Sequence, residues 1–162
     1  MNKDEELHWF ALRAFWNRVG QVRELLDDAG ISYYSQNILP SYIFVRTTFK
    51  QVDALRREEY DNDMHRFFVY WDKEKHLPIV VPDKELEIFR IVTSSGDTGL
   101  EFLGDDPEKY RKGDKVRVLD GPLKGAEGYV VRIRKDRRLV VTVSGVVAVA
   151  TSYIPMELLE KI

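Results

Sequence analysis

Cysteine is absent from the 162 residues, which excludes disulfides, thiolate metal sites and cysteine nucleophiles and is compatible with a reducing compartment. Long apolar runs are missing as well. The first seven residues are rich in charge and no stretch is long enough for a signal peptide or a membrane span, so a cytoplasmic protein that is neither exported nor inserted is expected. His8, His65 and His76 lack metal-ligand spacing, and no glycine-rich phosphate loop or nucleophile elbow appears. No catalytic residue, metal or cofactor is therefore expected, and the chain does not read as an enzyme. Asp61 and Asp63 are expected in a solvated loop. What is present is the balance of a globular protein: 44% hydrophobic and 32% charged residues, enough apolar material for a packed core.

Net charge is only -2, which taken whole says little about nucleic acid. From Lys112 onward, however, ten Lys and Arg stand against six Asp and Glu, while the preceding residues carry fifteen against twenty-one. This asymmetry suggests two modules with separate partners. The stretch between Thr93 and Lys112 holds Ser94, Ser95, Gly96, Gly99, Gly104 and Pro107 and reads as a linker. Residues 1–94, 95–111 and 112–162 are thus expected as a first domain, a linker and a second domain.

In the first domain, Leu7 to Ala14 reads as a strand, and Asn17 is placed to cap a helix with Val19, Val22, Leu26 and Ala29 at helical spacing, ended by Gly30. Ile31 to Tyr34 and Ile38 to Arg46 read as strands. Thr48 and Gln51 form a capping-box pattern opening a helix with Val52 and Leu55 inward. Phe67 to Trp71 is a further strand, and Pro82 begins a last helix with Leu86, Phe89 and Val92 on one face. The order β-α-β-β-α-β-α predicts an α+β, ferredoxin-like sandwich with an added helix. Alternation puts Ile43 and Val45 under the helices and Tyr42 and Phe44 on the other face, with Trp71 and the Trp9, Ala11, Arg13 side of the first strand. From pattern alone, those rings are either an exposed partner surface or ordinary core.

In the second domain, strands are expected at Lys115 to Leu119, Tyr129 to Ile133, Leu139 to Val143, Val146 to Thr151 and Ile154 to Leu158, with glycine-bearing turns between them. Five short strands in so few residues describe a small SH3-like β-barrel. Arg132 and Arg134 share one side of a strand, with Lys135, Arg137 and Arg138 on its hairpin; a phosphate-binding strip and solvated edge charges are equally natural readings.

Gly113-Asp114-Lys115-Val116-Arg117-Val118 through Gly121-Pro122-Leu123, Gly125 and Gly128 resembles the KOW motif, and Ile38-Leu39-Pro40-Ser41-Tyr42-Ile43-Phe44-Val45 resembles the phenylalanine-proline-glycine-tyrosine strand of the NusG N-terminal (NGN) domain, with Ser41 in place of the glycine. With Trp9-Phe10 near the start, the two motifs cover nearly the whole chain. Pro78 to Lys84 and Gly145 to Thr151 are similar to the specialised UpxY-like NusG paralogues, antiterminators of surface-polysaccharide operons. The resemblance implies a monomeric transcription elongation and antitermination factor whose NGN domain binds the clamp helices of the large RNA polymerase subunit and disfavours pausing. It implies polymerase contact by Leu39, Tyr42 and Phe44, with Trp71 and Arg13 beside them, and approach of Asn17, Arg18 and Gln21 to the displaced non-template DNA strand. Arg132 and Arg134 remain nucleic-acid candidates. General NusG barrels dock on Rho or a small-subunit ribosomal protein partly through an aromatic on the loop before the last strand; here Val143-Ser144-Gly145-Val146-Val147 lacks one, which argues against those partners. Only nine residues separate Gly30 from Pro40, where relatives commonly carry a longer basic hairpin. The alternative is a KOW-containing, ribosome-associated RNA-binding protein.

Overall fold

The computed structural model describes residues 6–162, which divide into two compact units, one running to Val81 and the other from Pro82 to Ile162. In the first, β1 (His8–Ala14), α1 (Val19–Asp28), β2 (Ser32–Tyr34), β3 (Tyr42–Thr47), α2 (Phe49–Asp61) and β4 (Phe67–Val69) follow one another. The strand order is β2-β3-β1-β4, with antiparallel pairing throughout. This is the expected ferredoxin-like order. A short hairpin, β5 (Trp71–Asp72) with β6 (Leu77–Pro78), leads to β7 (Val80–Val81), which takes the remaining edge of β1 opposite Trp9 and Phe10.

The period-two pattern decides which residues meet the helices. Phe10, Leu12 and Ala14 of β1, Ile43 and Val45 of β3, and Phe67 and Val69 of β4 share one core with Val22 and Leu26 of α1 and Val52 and Leu55 of α2. Helix boundaries follow local chemistry. The Thr48 hydroxyl accepts from the Gln51 N–H at 3.1 Å and starts α2, and Gly30 at φ 70° ends α1, its N–H donating to Asp27 O at 3.1 Å. Asn17, expected as the cap of α1, does not cap it. Phe15 to Arg18 closes a turn, with Arg18 N–H on Phe15 O at 2.8 Å, so Arg18 takes the cap position with no side-chain cap bond. Residues 38–41 are likewise turn and not strand: Leu39 N–H donates to Gln36 O and Tyr42 N–H to Leu39 O, both at 3.1 Å.

In the second unit, α3 (Asp83–Thr93) is followed by β8 (Glu101–Gly104), β9 (Lys115–Val118), β10 (Glu127–Ile133), β11 (Asp136–Val143), β12 (Val147–Tyr153) and β13 (Leu159–Lys161). The sheet order is β13-β9-β10-β11-β12-β8. The meander β9 to β12, with β13 returning to pair beside β9, has the SH3-like order, and β8 adds a sixth strand from the segment read as linker. Residues 154–158 hold a 3-10 turn, Met156–Leu158, before β13 in place of the expected strand. Helix α3 packs on β11, and Leu139, Val140, Val141 and Val143 are all buried, so that both faces of β11 are covered. Its nearly continuous apolar run fits such two-sided burial. Gly128 on β10 shows the tightness of this sheet: a Cβ there would lie 2.2 Å from the Val140 carbonyl oxygen.

Electrostatics in this unit differ from the split read at Lys112. Residues 82–162 carry fourteen Lys and Arg and fourteen Asp and Glu, because α3 and the segment after it are rich in acids. These acids meet the bases directly. Lys84 pairs with Glu127 at 3.1 Å, Arg111 with Glu85 and Glu108 at 3.4 Å each, and Arg138 with Glu101 at 3.0 Å.

Candidate interaction surface

Tyr42 and Phe44 stand on β3, an inner strand, opposite Arg13 and Ala11 of β1. They lie on the sheet face away from α1 and α2, as alternation requires. They are not exposed: Tyr42 retains 3% and Phe44 1% of its accessible surface. Strands flank both rings, the Arg13 guanidinium lies 5.0 Å over the Tyr42 ring, and Tyr70 stacks on Tyr42 with centroids 6.3 Å apart and planes 18° from parallel. The expectation of an open patch formed by Tyr42 and Phe44 is corrected on this point.

Trp71 does not join them. Counting by twos from Phe67 and Val69, which face the helices, places Trp71 on the helix side, and the Arg56 guanidinium of α2 sits 4.5 Å from its ring. Tyr70 and Phe68 occupy the other face, their centroids 5.2 Å apart. Alternation alone, carried one residue further along this strand, identifies Tyr70 as the ring beside Tyr42.

The exposed rings lie elsewhere in this unit. Phe15 and Phe68 are half exposed and 6.4 Å apart, while Tyr60 and Trp16 protrude at 83% and 88% exposure. Phe15, Tyr60, Met64, Phe68 and Trp71 help line a cleft of about 840 Å³ beside β4 and the C-terminal end of α2. Large apolar side chains gathered around a concavity mark an interaction surface more strongly than isolated exposed residues do. Trp16 and Phe15 precede α1 and Tyr60 ends α2, so the group was not visible as a motif; the signal was the number of aromatics sitting at element ends.

One buried carboxylate holds the cleft's floor. Glu59, 6% exposed, accepts from the N–H groups of Arg66 at 3.0 Å and Phe67 at 3.4 Å and from Arg66 Nε at 2.6 Å. It thereby fixes the course of the chain from α2 into β4. Of the remaining expected contacts, Leu39 is half buried in its turn; Asn17, Arg18 and Gln21 are exposed together, with Arg18 donating to Gln21 at 3.2 Å.

In the second unit, Arg132 is exposed on β10, and Arg134 at the hairpin tip pairs with Glu101 of β8. The β11–β12 turn is tied down. Ser144 N–H donates to Glu85 Oε1 at 2.7 Å, and Arg111 donates to Ser144 Oγ at 2.6 Å and to Thr142 Oγ1 at 3.0 Å. Among the described residues no cluster of His, Cys, Asp or Glu could hold a metal ion, and no helix is long and apolar enough to cross a membrane.

No protein-family model and no curated protein matches the chain. Among solved structures, it is similar to a chain of one titled "Crystal Structure of MjSpt4:Spt5 complex conformation A", with 18% identity, TM-score 0.32, and coverage of 95% of this chain and 97% of that one. A superposition that loose leaves the functional reading to the residues themselves.

Proposed function

We propose that this protein is a transcription elongation and antitermination factor of the NusG type, acting by binding and not by catalysis. The reading rests on the KOW-like and NGN-like residue patterns, which sit in an α+β chain of the order they imply: a ferredoxin-like sandwich followed by a small β unit. The observation that carries it is the group of exposed rings on the first unit, Phe15, Tyr60 and Phe68 around the cleft beside β4, with the protruding Trp16 next to Phe15 in the chain. Rings of this size are the side chains that dominate protein interfaces, and in this proposal they grip the clamp helices of the large RNA polymerase subunit. Tyr42, Phe44 and Arg13 act from beneath, by holding the sheet that presents Phe68. Asn17, Arg18 and Gln21 approach the displaced non-template strand, where polar and basic side chains meet phosphates and splayed bases. Bound there, the factor disfavours pausing in the cytoplasm, in a specialised operon such as one for surface polysaccharide.

The test is retention of purified bacterial RNA polymerase on the immobilised full chain. Phe68→Ala and Trp16→Ala each weaken retention by roughly tenfold or more, the range of an interface hot spot, with the melting temperature unchanged. Retention that survives both substitutions overturns the reading. The basic β10–β11 hairpin favours a second reading, a ribosome-associated RNA-binding protein. That reading predicts steeply salt-dependent affinity for ribosomal RNA, indifferent to Phe68 and Trp16.

A further inference from the structure

The first unit has a second cleft, of about 550 Å³, between α2 and the β5–β6 hairpin; Arg56 and Trp71 line it and also the cleft beside β4, and so form a shared wall. Its charge is one-sided. Lys50, Arg56 and Arg57 line it against one carboxylate, Asp53, whereas the cleft beside β4 has both Glu59 and Asp63 among its walls. Asp53 gives one oxygen to each arginine: Oδ1 accepts from Arg56 Nη2 at 2.9 Å, and Oδ2 lies 2.9 Å from Arg57 Nε. A single carboxylate cannot neutralise two guanidinium groups, and Lys50 is exposed with no ion-pair partner among the described residues. Lys50 and Arg57 are two turns apart on one face of α2, about 10 Å along its axis. His76 adds an imidazole to the lining, although its φ of 56° would suit glycine better. The rest of the wall is apolar and flat. Phe49 and Trp71 belong to it, and the Arg56 guanidinium lies over the Trp71 ring, 4.5 Å from its centroid.

We infer that this cleft binds a nucleoside di- or triphosphate, with Lys50 and Arg57 as the phosphate contacts and the Arg56–Trp71 stack as the surface for the base. The inference goes beyond polymerase binding, since it gives the first unit a small-molecule ligand of its own. Three observations select the ligand class. The excess of positive charge is spread along the helix, which suits a ligand with more than one anionic group, and an arginine fork matches phosphate oxygens two at a time. Beside the cations stand Trp71 and a guanidinium already stacked on it, planar groups on which a planar base stacks in turn. The volume falls within the range of about 300 to 1,000 Å³ usual for small-molecule clefts. Asp53, the lone carboxylate in the lining, is committed to the two arginines, so the cleft takes the phosphates through its cations and not through a shared divalent ion.

Isothermal titration calorimetry of the full chain with ATP and with GTP, in low salt without divalent ions, tests this. Both are expected to bind, with affinities within several-fold of each other, because a stacking surface accepts any base. Adenosine and tripolyphosphate, each lacking one half of the ligand, bind roughly tenfold more weakly or worse. The double variant Lys50→Ala/Arg57→Ala weakens ATP binding by roughly tenfold or more, with the melting temperature unchanged because both side chains are exposed. Lys161→Ala, at an exposed pair of the second unit, leaves ATP binding as it was. Lys50→Glu alone weakens binding and gives an independent reading should the double variant fold poorly. Absence of ATP binding, tripolyphosphate or adenosine binding as tightly as ATP, or undiminished affinity in the double variant overturns the inference. So does a single-stranded oligonucleotide without terminal phosphate that binds more tightly than ATP and loses that binding in the double variant, since the cations then serve a polymer. None of these results bears on retention of RNA polymerase through Phe68 and Trp16, so the two proposals fail separately.

Discussion

The two compact units of this chain distribute charge differently, although each buries one carboxylate, Glu59 in the first and Glu127 in the second, among the described residues. In the first, a single carboxylate, Glu59, is buried with Arg66, and the conspicuous exposed groups are rings. In the second, acids and bases are equal in number and Glu85, Glu101, Glu108 and Glu127 are each matched to a basic partner, leaving a few arginines exposed on one hairpin. Burial of the Glu59 carboxylate makes its loss costly, since removal of one partner leaves the other charge poorly solvated; the pairs of the second unit that do not involve the buried Glu127 are partly exposed, screened by water and contribute little each. Stability in the first unit therefore hinges on few polar contacts. In the second it depends on close backbone approach within the sheet.

Substitutions sharpen that contrast, beginning with the most damaging. Glu59→Ala, which strips Arg66 and the start of β4 of their acceptor, is expected to cost about 3 to 5 kcal/mol in urea unfolding, whereas Lys161→Ala, at its exposed pair with Asp114 in the second unit, costs under about 1 kcal/mol. Equal losses at the two sites would erase the distinction. Gly128→Ala forces a methyl against the Val140 carbonyl and is expected to lower stability by about 2 to 3 kcal/mol, with the loss confined to the transition of the second unit if the units unfold separately. Thr48→Ala removes the α2 cap for about 1 kcal/mol, while Asn17→Ala, whose side chain caps nothing, leaves the melting temperature unchanged. Lys135→Gly relieves a left-handed lysine and raises stability by about 0.5 to 1 kcal/mol, the one change in this series expected to stabilise.

The order of elements was legible because each carries its own signal. Hydrophobic spacing marks the faces of α1, α2 and α3; Thr48 and Gly30 mark helix ends; alternation sends Ile43 and Val45 to the helices and Tyr42 and Phe44 away from them. What alternation does not reveal is whether a face is open, since burial depends on what lies over the strand and not on the strand itself. Tyr42 and Phe44 were misjudged for that reason. Trp71 belongs to the helix side because it continues the alternation of Phe67 and Val69. The segment 95–111 reads as linker because glycine, serine and proline interrupt it, yet Glu101 to Gly104 finds β12 as a partner, and pairing supplied by a distant strand leaves no local trace. The apparent charge asymmetry had the same origin: the dividing point at Lys112 separated bases from the acids that neutralise them.

Strand β4 ends the first unit's four-stranded path, and a terminal strand ordinarily offers its amide hydrogens to any extended chain that drifts past. Glu59 already occupies those of Arg66 and Phe67, so the carboxylate that anchors a loop also withholds two attachment points from a would-be neighbouring molecule. A protein lacking it would be vulnerable twice over, less stable as a monomer and readier to zip edge to edge into aggregates.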